Sequence, residues 1–114
     1  MAEVQQWNGE VFLSDQGLGT LDTPIIQGYV ESIFFEQTMP SRITIRSILT
    51  ERYTILDAHF RLTEYAYPRS KGMHVDGKYI DHYATKHLLN EALRIKIVGA
   101  ARQNTKIQIR WVTV

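Results

Sequence analysis

The chain has 114 residues, with 13 Lys+Arg, 12 Asp+Glu, four His and no Cys, and 44% of it is hydrophobic. That length suits one domain with a single core, and that hydrophobic share is well above what disordered chains carry. The lack of Cys excludes a disulfide scaffold, a thiolate zinc site and a Cys nucleophile, and a formal net charge of +1 excludes a uniformly basic nucleic-acid binder.

Residues 1–8 show no basic stretch followed by an apolar core, so no signal peptide is expected. No apolar run approaches the roughly 18–20 residues that a membrane-spanning helix needs, so no membrane partner is expected. Residues 1–24 have weak periodicity. They read as an N-terminal arm, with a short strand at Val11-Phe12-Leu13 and a loop from Ser14 to Pro24. Apolar residues in such an arm are costly unless docked, so Trp7, Phe12 and Leu13 are expected to pack on a neighbouring subunit.

A sandwich domain is expected over residues 25–114. Ile25–Phe35 is β-branched and aromatic on both faces, as in a long central strand, and Gly28 marks a bulge or a close backbone approach. Arg42–Ile48 alternates after the break at Pro40-Ser41. Residues 53–65 form one stretch interrupted near Asp57-Ala58 and stopped by Pro68. Residues 66–80 read as a loop. From Tyr79 to Asn90 the pattern fits a short helix or an irregular strand.

The end of the chain is the most regular. Leu93, Ile95 and Ile97 alternate with Arg94 and Lys96, and Ile107, Ile109 and Trp111 alternate with Lys106, Gln108 and Arg110. Period two sends one set to the core and the other to water. The polar connection 99–104 has hairpin length, so a terminal β-hairpin is predicted. Six to eight strand candidates at roughly 8–12-residue spacing give an all-β, antiparallel β-sandwich with at most one short helix near 80–90.

The candidate chemistry is sparse. His74, Asp76, Asp81 and His82 crowd one segment and could hold a metal, but Asp76-Gly77 also reads as an ordinary turn. Asp57 and His59 sit two apart, and a polar strand edge explains them. Gly17-Leu18-Gly19 lacks the Lys-Ser/Thr of a phosphate cradle. No enzymatic activity and no cofactor are expected. In the predicted hairpin, Arg94, Lys96, Arg102, Lys106 and Arg110 would make a basic stripe, which suits nucleic acid or another polyanion. Tyr65, Tyr67, Tyr79 and Tyr83 place four of the six Tyr in one short segment, a pattern that suits a protein contact or a carbohydrate site.

Val75–Ile80, Asn90–Ala100 and Lys106–Trp111 resemble the C-terminal part of small all-β virion structural proteins of tailed bacteriophages. There, an LN-E/D-x-L-x-I-x-V-x-G-A strand precedes a terminal x-I-x-I-x-W/Y strand. The resemblance covers about 40 residues. It implies a sandwich of jelly-roll type, without catalytic residues, that serves in capsid decoration, head–tail joining or a tail. It also implies a homo-oligomer that meets other virion proteins, made in the host cytoplasm and located in the virion.

The charge is split along the chain. Residues 1–41 hold six acids and no Lys or Arg, and residues 42–114 hold all 13 basic residues with the other six acids. The acidic N-terminal region is therefore expected to meet the basic hairpin face, either of a neighbouring subunit or of its own fold.

Overall fold

The computed structural model describes residues 2–49, 54–73 and 79–113, with backbone alone at 70–73 and 79–84. Among the described residues there are eleven strands and no helix: β1 (Val4–Phe12), β2 (Leu18–Asp22), β3 (Ile26–Glu36), β4 (Ser41–Ser47), β5 (Thr54–Phe60), β6 (Glu64–Ala66), β7 (Arg69–Met73), β8 (Tyr79–Lys86), β9 (Leu88–Glu91), β10 (Leu93–Val98) and β11 (Asn104–Val112). One sheet runs β1-β11-β3-β6, with β9 also on β3, and the other runs β2-β10-β4-β5. We call them sheet A and sheet B. Strands β7 and β8 pair only with each other.

Every described pairing is antiparallel. β6 and β9 lie end to end along the same edge of β3, on Ile33–Phe35 and Ile26–Tyr29 respectively. Taken as one interrupted strand, with the β7–β8 hairpin set aside, they complete the jelly-roll order. The sheets then read first-eighth-third-sixth and second-seventh-fourth-fifth.

The core lies between the sheets. Ile26, Val30, Ile33 and Phe35 of β3 and Ile107 and Ile109 of β11 face Ile43 and Ile45 of β4 and Leu93, Ile95 and Ile97 of β10, all essentially without solvent contact. Phe35 and Phe60 join the sheets directly, with ring centroids 4.7 Å apart. The alternation that predicted strands at 25–35, 42–48, 93–98 and 106–111 places these residues inward.

Several expectations need correction. Residues 1–24 are not an arm. β1 is paired along its whole length with β11, and β2 with β10, so both belong to the sandwich. Trp7, Val11 and Leu21 pack against the core and Leu13 is buried in it. The signal was weak because the inward positions of β1, Gln5, Trp7, Gly9 and Val11, mix an amide and a glycine with apolar residues. The loop expected at 14–24 contains β2, and the loop expected at 66–80 contains β7 and the start of β8. The stretch 53–65 breaks at residues 61–63, not at Asp57-Ala58. The ambiguous segment 79–90 is strand, in β8 and β9.

The largest correction concerns the end of the chain. β10 and β11 do not form a hairpin. β10 sits between β2 and β4 in sheet B, and β11 between β1 and β3 in sheet A. Residues 99–103 cross from one sheet to the other. Arg102 helps the crossing by adopting a positive φ of 59°. The crossing lies against the β1–β2 turn: Gly99 N donates to Gly17 O at 2.8 Å and Leu13 N to Gln103 O at 2.8 Å.

Gly28 marks a close backbone approach, as its position in the sequence suggested. Its φ is 147°, and a Cβ there would lie 2.1 Å from the carbonyl oxygen of Val112.

Candidate interaction surfaces

Because β10 and β11 lie in different sheets, the expected basic stripe is divided between opposite faces. Arg94 and Lys96 lie on the outer face of sheet B. Lys106 and Arg110 lie on the outer face of sheet A, and Arg102 lies in the crossing at one end.

On sheet B the charges are paired laterally. Arg94 meets Asp22, its cross-strand partner, through Nε to Oδ1 at 2.9 Å and Nη2 to Oδ2 at 3.2 Å. Arg42 meets Asp57 in the same two-pronged way, at 3.0 and 2.9 Å. These bidentate hydrogen bonds hold both carboxyls below the usual carboxylate range and raise Arg42. Asp57 is therefore engaged by Arg42 and Thr44. Arg46 lies directly opposite Arg94, and Lys96 opposite Thr20 and Thr44.

Sheet A presents a different outer face. Gln6, Asn8, Glu10 and Phe12 of β1 stand opposite Arg110, Gln108, Lys106 and Asn104 of β11. Lys106 also stands opposite Glu36 of β3, so it has an acid on each flanking strand. Arg110 Nε donates to Gln6 Oε1 at 3.0 Å, and Asn104 Nδ2 donates to Glu10. A shallow concavity of about 310 Å³ lies among Asn8, Glu10, Phe34, Glu36, Lys106 and Gln108.

Beside this concavity runs a row of aromatic rings. Phe34 lies 4.6 Å from Tyr65, and Tyr65 stacks with Tyr67 at 6.3 Å with 17° between the planes. Tyr65 and Tyr67 are 56% and 63% exposed. The structure thus brings together two of the four expected Tyr and adds Phe34, which the sequence hid inside a generally apolar strand. Tyr79 and Tyr83 lie in β8, and their side chains are outside the described ones. His74 and Asp76 fall outside the described residues, as do the side chains of Asp81 and His82. Among the described residues no cluster of His, Asp and Glu has metal-ligand geometry.

The charge split resolves inside the fold. Asp15 pairs with Arg102 at 2.8 Å, Asp22 with Arg94, and Glu31 with Lys86. Each joins an acid from the first third of the chain to a base from the last third.

The sequence also gave no warning of Arg69. Among the described residues, β3 has no strand partner on this edge between β6 and β9. There, Arg69 Nη1 donates to Glu31 O at 3.1 Å and Val30 O at 3.4 Å, and Val30 N donates to His87 O at 2.9 Å. The guanidinium fills the gap left by the missing strand. His87 is buried at this junction, and burial with the Arg69 charge lowers its pKa from 6.5.

No protein-family model matches the sequence, and no curated protein matches it.

Proposed function

We propose that this chain is a non-enzymatic structural component of an assembled particle, of the kind found in tailed-phage virions, and that it works through contacts between subunits. The observation that carries this reading is the apolar surface that the complete jelly roll leaves outside. Val4, Phe12, Leu18, Ile25, Leu88 and Val98 are all more than half exposed although both sheets have a full core. Such residues suit contact patches on a small, rigid block. The pairing of Asp22, Asp57 and Glu31 with basic residues fits a scaffold, because each pair ties up a carboxylate that could otherwise do acid–base work. The strand pattern shared with small virion proteins supports the particle setting.

Native mass spectrometry and electron microscopy of the purified full chain test this. The expected result is a closed assembly larger than a dimer, such as a hexamer or ring. A chain that never exceeds a dimer would count against the reading.

The aromatic row favours a second reading, a carbohydrate-binding face. Phe34, Tyr65 and Tyr67 offer flat apolar surface, and Asn8, Gln108 and Glu36 offer donors and acceptors for hydroxyls. A glycan array would show binding that Tyr65→Ala removes. A blank array would dismiss it. The polyanion reading loses the single basic face that prompted it.

A further inference from the structure

The sheet edges differ in how open they are. β2 has five residues and ends in Asp22. β5 carries Asp57 and His59, with an irregular register against β4. β6 and β9 have three and four residues. Short strands, charges and bulges all discourage pairing with another chain. β1 is the least protected of these edges. It has nine residues, no Lys, Arg or Pro, one charge at Glu10, and an unshifted register with β11.

The hydrogen-bond phase of β1 is fixed at both ends. Thr113 N donates to Glu3 O, and Leu13 N donates to Gln103 O, each at 2.8 Å. Antiparallel pairs alternate between hydrogen-bonded and non-bonded. The odd-numbered residues of β1 therefore bond to β11. The even-numbered residues Val4, Gln6, Asn8, Glu10 and Phe12 turn their N–H and C=O groups away from the sheet, where no described strand pairs with them.

We propose that two copies of the chain pair antiparallel through β1, about a two-fold axis at Asn8, so that sheet A runs unbroken through both. In this register every even-numbered residue meets an even-numbered residue, so all the outward backbone groups find partners. The side chains match as well. Val4 and Phe12, exposed at 69% and 70%, stand opposite each other at both ends of the contact. Gln6 stands opposite Glu10, and Asn8 opposite itself. Arg110, which donates to Gln6, would bring positive charge beside Glu10 of the second copy. On the inner face, Trp7 comes opposite Gly9, which in each copy is already covered by that copy's own Trp7 ring and by Leu21. A self-complementary patch of this kind is what a two-fold contact requires.

This contact deepens the assembly reading and rests on it. The test is sedimentation of the full chain over a concentration series, together with amide hydrogen exchange. The wild type is expected to dimerise or assemble further with concentration. Amides of Gln6, Asn8 and Glu10 should exchange slowly in concentrated protein and fast in dilute protein, while those of Gln5, Trp7 and Gly9 stay slow in both.

Asn8→Lys places like charges face to face at the axis and should abolish the contact without altering the monomer's circular dichroism. Asn8→Pro removes an outward N–H that β11 does not use and should do the same. Assembly that survives both variants, with even-numbered amides fast throughout, would overturn the edge contact and leave the assembly reading standing. A dimer lost in both variants, with no larger species in the wild type, would keep the contact and remove the particle. A wild type that stays monomeric throughout would remove both.

Discussion

β10 and β11 have the same alternating pattern and are joined by residues 99–103, yet each is an inner strand of a different sheet. Their inner faces do the same work. Leu93, Ile95 and Ile97 meet Ile107, Ile109 and Trp111 across one core. Their outer faces do not. On β10, Arg94 is clasped by a carboxylate on the next strand. On β11, Lys106 lies between two acids and Arg110 contacts an amide. Period two separates inside from outside, but it does not say which strand lies alongside. The lateral neighbours decide what an exposed charge does.

The strongest way to probe this comparison is to empty the same kind of site on each strand. Ile95→Ala and Ile109→Ala each remove a side chain with no solvent contact and should each lower stability by about 2–5 kcal/mol. Urea midpoints with an unchanged m value would show it. A large loss in one variant beside a negligible loss in the other would break the equivalence of the inner faces.

Next comes the polar tie at one end of the core. Gln37 Nε2 donates to Phe60 O at 3.2 Å, while Gln37 Oε1 accepts from Ser41 and from Gln103. These partners come from sheet B and from the crossing before β11, while Gln37 itself follows β3 of sheet A. Gln37→Ala leaves the buried Ser41 hydroxyl and Gln103 amide without that acceptor and should cost about 1–3 kcal/mol. An unchanged thermal midpoint would show that the tie contributes nothing.

A pH effect should separate the sheets further. His87 beside β3 is disfavoured as the cation by burial and by Arg69. The unfolded chain takes up a proton near the ordinary value of 6.5, and the folded chain only at lower pH. The stabilising contribution is whole above about 6.5 and declines as pH falls from there towards the folded value. Chemical denaturation between pH 7 and 5 should show this slope, and His87→Leu should flatten it. An equal slope in the variant would assign the effect to other groups.

The smallest effect belongs to the outer face of sheet B. A double-mutant cycle with Asp22→Asn and Arg94→Gln should give a coupling of about 0.2–1 kcal/mol, because the pair is solvent-screened. Asp22 has its pKa lowered from 3.8, so the coupling is present above that value and fades as pH falls through the folded value. A coupling of zero at neutral pH would show that the clasp on Arg94 contributes nothing.

The parts of the fold that were legible are those whose inward positions are Ile, Val, Leu or Phe: β3, β4, β10 and β11. β1 escaped because Gln5, Trp7, Gly9 and Val11 make an uneven inward row, and β2 because its inward row is only Gly19 and Leu21. The mistaken hairpin has a different cause. A short polar connection serves equally well to turn back within a sheet or to cross between two. The choice is set by which distant strands each one pairs with, β2 and β4 for β10 and β1 and β3 for β11, and no local pattern encodes it. Tyr65 and Tyr67 were legible only as members of a Tyr-rich segment, one in β6 and one just beyond it. Phe34 joined them only through the pairing of β3 with β6.

The interrupted edge of β3 bears on how this chain could change over time. β6 and β9 lie along one line, and the chain departs after Ala66 and returns at Leu88. What lies between is bounded by Arg69, Lys86 and His87, which hold the gap shut against Val30 and Glu31. Insertions or deletions beyond that clasp would change what the protein displays and leave the register of both sheets alone. The segment is thus a place where the chain can change in length without disturbing the block that carries it.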